Sequence, residues 1–63
     1  MITRFHKIDK HIEYSTISVS NRQGEEIDFK ERCHELKEYI EKLGSEDAAV
    51  IKFYTGVSAG LIR

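Results

Sequence analysis

Few side chains in this sequence have the type and spacing to do chemistry. Cys33 and His34 place a thiol beside an imidazole, the pairing used both for nucleophilic catalysis and for zinc. Adjacent residues on a helix point about 100° apart, so the two cannot easily share a metal or a proton. Cys33 also falls on the apolar positions of its segment and is expected to be a small core residue. Glu25 and Glu26 are paired acids, but neighbours on a strand face opposite sides, which argues against acid–base work. His6 and His11 stand five positions apart, and Gly56 and Gly60 lack the spacing and the Lys-Ser/Thr of a phosphate-cradling loop. Tyr14, Tyr39 and Tyr54 are expected at the edge of the core, because a nucleic-acid stacking role asks for more basic neighbours. Asp9, taken alone, is expected to be a solvated or turn aspartate.

The elements that position these groups are a helix and several strands. Asp28–Gly44 carries Phe29, Cys33, Leu36, Ile40 and Leu43 on one helical stripe. Asp28 is a suitable N-cap with Glu31 completing a capping box, Gly44 suits a left-handed stop, and Glu38 precedes Lys42 in the favourable order. Upstream, Met1–Lys10 is ambiguous. Ile2, Phe5, Ile8 and Ile12 recur with a helical period, whereas Thr3 and Phe5 favour a strand and no N-cap precedes them. His11–Ser20 is β-branched and aromatic and reads as a strand, with a parity switch that fits a bulge or a strand starting near Tyr14 after a turn. Asn21–Gly24 is a turn, and Glu25–Asp28 returns as a short strand. Ser45–Asp47 is a polar connection, and Ala48–Tyr54 is an apolar run expected to be a strand buried on both faces. The tail Val57–Arg63 fits a short helical turn or a frayed end.

Composition bounds the function. A chain of 63 residues makes one small domain, which at this size buries only about 60% of the surface its unfolded chain exposes. A hydrophobic share of 40% with 33% charged residues is globular rather than disordered. One cysteine excludes a disulfide scaffold and a four-cysteine zinc site. The N-terminus resembles neither a signal peptide nor a membrane span, so a soluble, cytoplasmic protein is expected. The net charge of −1 gives no strong electrostatic footprint for nucleic acid.

Lys7–Gly24, KIDKHIEYSTISVSNRQG, resembles the opening of the DEDD insertion-sequence transposases, relatives of the Piv-type DNA invertase. Those proteins begin with a strand reading Gly-Ile-Asp-x-His, followed by a second strand and a turn ending in Gly. Ile8, Asp9 and His11 match that motif, with Lys7 in place of its Gly. Glu25–Gly44 is similar to the family's short third strand and first helix. A later strand of the family ends close to Glu-Ala-Thr-Gly, where this chain has Phe53-Tyr54-Thr55-Gly56, keeping Thr-Gly and replacing the acid with Phe53. The resemblance turns the ambiguous Met1–Lys10 towards a strand.

What the resemblance implies is an α/β fold of the RNase-H-like type: a three- to four-stranded mixed sheet in the order β-β-β-α-β, truncated after its fourth strand, with one amphipathic helix on one face. It also implies four acids holding two divalent metals, usually Mg²⁺, for DNA recombination. Two such ions about 4 Å apart need several converging carboxylates. Asp9 alone carries over as catalytic and metal-binding residue, so the expectation is a catalytically inactive fragment or remnant of a transposase with no cofactor of its own. Two rivals remain: a small homodimeric α+β protein-interaction module, and an accessory DNA-binding protein of a mobile element. A small sheet covered on one face by a single helix leaves a face and an edge open, which predicts a homodimer formed face to face or edge to edge. DNA is a weaker expectation as partner, and neither a membrane nor a small-molecule substrate is indicated.

Overall fold

The computed structural model describes residues 1–53, together with the backbone of 58–62. The chain runs β1 (Arg4–Lys10), β2 (Ser15–Ser20), β3 (Glu26–Cys33), α1 (Leu36–Glu41), β4 (Asp47–Phe53) and β5 (Ser58–Ile62). It is an α/β fold with one mixed sheet in the order β3-β2-β1-β4-β5. Strands β1, β2 and β3 form an antiparallel meander, β1 lies parallel to β4, and β5 returns antiparallel along β4.

The first two hairpins have local causes. At Asn21–Gly24 the Asn21 side-chain oxygen accepts hydrogen bonds from the backbone N–H of Gln23 and of Glu25, both at 3.0 Å. Gly24 sits at φ 85°, a left-handed conformation that costs a glycine little, so the expected turn forms where its residues predicted. Between β1 and β2 the His11 N–H donates to the Tyr14 carbonyl, and β2 starts at Ser15. The parity switch in His11–Ser20 therefore marks a strand beginning after a turn.

Burial alternates along the central strands. His6 and Ile8 of β1, Ser15, Ile17 and Val19 of β2, and Asp47, Ala49 and Ile51 of β4 point to one face. Leu43 completes that core, with Cys33, Leu36, Tyr39 and Ile40 packed against it. The amphipathic helix thus covers one face of the sheet, and Cys33 is the half-buried core-side residue expected. The opposite face carries Phe5, Lys7 and Asp9 from β1 and Val50 and Lys52 from β4.

Four expectations are corrected. The helix does not begin at Asp28: Glu26–Cys33 is strand, and only the second half of the apolar stripe is helical. The turn delivers this segment alongside β2, and the ladder of backbone hydrogen bonds there overrides the local capping signals. Asp28 instead accepts from the N–H of Phe29, next to it in the strand, and Phe29 is 52% exposed. Gly44 is not a left-handed stop; the helix ends in short i→i+3 bonds from Lys42 and Leu43, and the Gly44 N–H goes to Asp47. β4 is not buried on both faces, since Val50 is 52% exposed. The tail is neither a helical turn nor frayed through 58–62 but a fifth strand, which occupies the otherwise unpaired edge of β4. Met1–Lys10, for which periodicity alone favoured a helix, is strand from Arg4 onward because β2 and β4 pair with it on both sides.

Candidate functional site

Two groups of side chains stand out, one on each face. The first is built where β1 lies beside β4. Their parallel register sets Arg4 opposite Asp47, although the two are 43 positions apart in sequence. The Asp47 carboxylate is buried at 4% exposure and accepts four hydrogen bonds. Arg4 donates from Nε at 2.6 Å and from a terminal nitrogen at 3.2 Å, in a bidentate fork. His6 Nε2 lies 2.9 Å away, and the Gly44 N–H completes the set at 2.8 Å. The other ring nitrogen of His6, Nδ1, is 2.6 Å from the Tyr39 hydroxyl.

These bonds fix one proton position, the Nε2–H of His6. Asp47 is ionised and only accepts, so His6 donates from Nε2; in the neutral imidazole Nδ1 accepts from the Tyr39 hydroxyl. The Arg4 hydrogen bond holds the Asp47 carboxyl well below the usual carboxylate range. Burial works in the opposite direction and is outweighed, with Gly44 and His6 adding to the lowering. The Tyr39 phenol is pushed up to about 12, first by burial and then by the charges of Asp28 and Asp47. A tyrosine so hard to ionise is a poor nucleophile at neutral pH, and the chain Tyr39–His6–Asp47 serves as a strut between α1, β1 and β4. Every buried side-chain polar atom among the described residues has a partner, as a structural network requires.

That strut carries a pH prediction. A phenol whose folded-state pKa lies above the ordinary value contributes stability that is present below pH ~10 and is lost as pH rises towards ~12. Between neutral pH and pH ~11 the urea midpoint should therefore fall further in the native chain than in Tyr39→Phe. Equal falls would show that the Tyr39 phenol ionises as freely in the folded chain as in the unfolded one.

The second group surrounds Asp9 on the open face. Asp9 is half-exposed, and the imidazole of His11 stands 3.8 Å from its carboxylate. Across the sheet its register partners are Thr16 of β2 and Lys52 of β4. Phe53, where the transposase pattern has its second acid, is the partner of Lys10, one position beyond. The residues present do not fit a pair of divalent cations, because the positions flanking Asp9 offer a hydroxyl and an ammonium rather than carboxylates.

The remaining candidates are scattered. Glu25 accepts from the Asn21 amide and Glu26 from the Ser18 hydroxyl, so the two acids serve the hairpin separately. His34 Nδ1 meets the Glu13 carbonyl, away from any second ligand. Tyr14 is the aromatic with basic company: the Arg32 guanidinium lies 5.0 Å from its ring centroid, and the rings of His11 and His34 lie at 4.8 and 6.4 Å. Arg32 and His34 also line a groove of about 670 Å³ that runs along α1 to Arg4 and Asp47. Tyr54 and Gly56 lie outside the described residues.

Sequence reasoning missed the Arg4–His6–Tyr39–Asp47 cluster, and no local signal could have found it. Its members come together only through the parallel pairing of the first and fourth strands. The basic neighbours of Tyr14 were equally hidden, since Arg32 reaches it only once that segment is strand. No protein family matches the chain, and no curated protein or solved structure is significantly similar to it. No helix among the described residues is long and apolar enough to cross a membrane.

Proposed function

We propose that the chain is a catalytically inactive RNase-H-like module of the DEDD-transposase type, which associates with nucleic acid without cutting it. The observation that carries the inactive half is the register around Asp9, with Lys52 on one side and Thr16 on the other. With a threonine and a lysine at the positions beside Asp9, the neighbouring strands supply no second carboxylate there to share a cation pair. The first five elements run β-β-β-α-β, which is compatible with this reading, and β5 follows them. For the nucleic-acid half, support comes from Tyr14, with Arg32 and two imidazoles around its ring. An aromatic with a guanidinium beside its ring is the kind of surface on which single-stranded bases stack. A cytoplasmic location and a role in DNA recombination go with this reading.

The test is retardation of single-stranded and duplex DNA at several salt concentrations, beside a Mg²⁺- or Mn²⁺-dependent cleavage assay. Binding that weakens with salt, falls by about tenfold in Tyr14→Ala with Arg32→Gln, and is unaccompanied by cleavage is the expected result. Indifference to DNA at low salt would overturn the nucleic-acid half. Cleavage abolished by Asp9→Ala would overturn the inactive half. A second reading, a protein-interaction module, is favoured by the exposed apolar side chains on the open sheet face, Phe5 and Val50 among them.

A further inference from the structure

We infer that the open sheet face binds a second copy of this chain, face to face, with β1 stacked antiparallel over β1 of its partner. The inference stands on the sheet alone and does not rest on the nucleic-acid reading.

The first argument is what the face leaves uncovered. β1 and β4 are a parallel pair at the centre of the sheet, and parallel strands are ordinarily covered on both faces. Here α1 covers one face, while Val50 in the middle of the other is 52% exposed and Phe5 39%. Phe29, the register partner of Ser18, adds a third exposed apolar side chain on β3.

The second argument is charge, and it selects the geometry. Lys7 and Asp9 project from the same strand, two positions apart and therefore about 7 Å from one another, on either side of Ile8. Two sheets packed by a two-fold axis in the interface plane have two simple choices. An axis along the strands sets Lys7 over Lys7 and Asp9 over Asp9, which repels. An axis across the strands at Ile8 sets Lys7 of each copy over Asp9 of the other, giving two opposite-charge pairs. The registers then decide the neighbours. Val50 pairs with Lys7 and Lys52 with Asp9, so each Val50 lies under the alkyl stem of the other copy's Lys52. Ser18 and Thr16, the partners of Lys7 and Asp9 on β2, meet as hydroxyls. The face is thus self-complementary, as an isologous contact demands.

Area sets the strength. Five strands at about 4.8 Å, each about six residues long at about 3.3 Å, give a face on the order of 500 Å² per copy. The pair then buries about 1,000 Å², the lower limit for a specific interface, so a dimer with micromolar dissociation is expected.

Sedimentation equilibrium across the micromolar range tests this. The native chain should approach twice its 7.3 kDa mass. Lys7→Glu and Asp9→Lys, each alone, set like charges face to face and should weaken the dimer by at least about tenfold. The two together exchange the charges and should restore it to within a few-fold. Val50→Lys, which brings an ammonium against Lys52 of the other copy, should give monomers that keep the native far-ultraviolet spectrum. A single-chain mass throughout would overturn the inference. So would a dimer that survives Val50→Lys, which points to pairing along an edge, or a charge exchange that fails to rescue.

Discussion

Replacing Ile17 by alanine is expected to remove about 2–5 kcal/mol of folding stability, the cost of emptying a fully buried site in a core with little room to collapse. Ile17 is 0% exposed in the central part of β2, against Ile8 and the rest of a core with six buried apolar residues among those described. A chain this short is stable by about 3–9 kcal/mol in total, so the substitution takes away at least about a fifth of it. Urea denaturation followed by circular dichroism should show a midpoint shift to match. Phe29→Ala is the informative comparison. On the helical stripe that the sequence predicted, Phe29 would be a core residue and its loss as costly as that of Ile17. On the exposed face of β3 it should cost under about 1 kcal/mol.

The second large effect is expected at Asp47. Asp47→Ala strands the Arg4 fork, the His6 N–H and the Gly44 N–H at once. Arg4 is 45% exposed and turns to water, but His6 is buried and loses its acceptor. A loss of about 2–4 kcal/mol follows, more than a surface ion pair could give. The pH dependence has a definite sign. The folded-state pKa of Asp47 lies below its unfolded value of about 4, so its contribution is fully present above that value. It is lost as pH falls through ~4 towards the folded-state value. Asp47→Asn should therefore be less stable than the native chain at pH 7, and the two should converge on acidification. Parallel stability curves between pH 7 and pH ~3 would show that the carboxylate charge contributes nothing.

These two residues also show where the sequence was legible. Ile17 sits in a β-branched run bounded by a clear turn, and the alternation within Ser15–Ser20 is enough to mark it as inward-facing. The turn at Asn21–Gly24 was legible for the same reason, because Asn and Gly each do a specific local job there. Asp47 was not. It reads as the last residue of a polar connection, and only strand pairing over more than forty positions turns it into the buried centre of a network. The boundary between β3 and α1 failed for an intermediate reason. Asp28 and Glu31 have the spacing of a capping box, yet Ile27 and Phe29 also fit a two-residue alternation, and the edge of β2 decided between them. From Leu36 to Leu43 the helical stripe and the observed core agree, since no strand competes for that segment.

The same long-range pairing governs the functional argument. Ile8 and Asp9 lie on β1, His11 follows just past its end, and β4 runs beside the strand. What the neighbouring strand brings to Asp9 is Lys52. An aspartate and a lysine at paired positions on an open sheet suit an interface between copies, where Lys7 and Asp9 can pair across a two-fold axis, better than a site for two cations.

The most direct measurement is a magnesium titration followed at the backbone amide and side-chain carboxyl resonances of Asp9, made on the native chain and on Val50→Lys so that both dimer and monomer are sampled. Resonances from Lys7 to His11 that stay unmoved through millimolar Mg²⁺ in both chains are the result predicted. A saturable shift centred on Asp9 and abolished in Asp9→Ala would mean that the sheet holds a cation there after all, and would contradict the account.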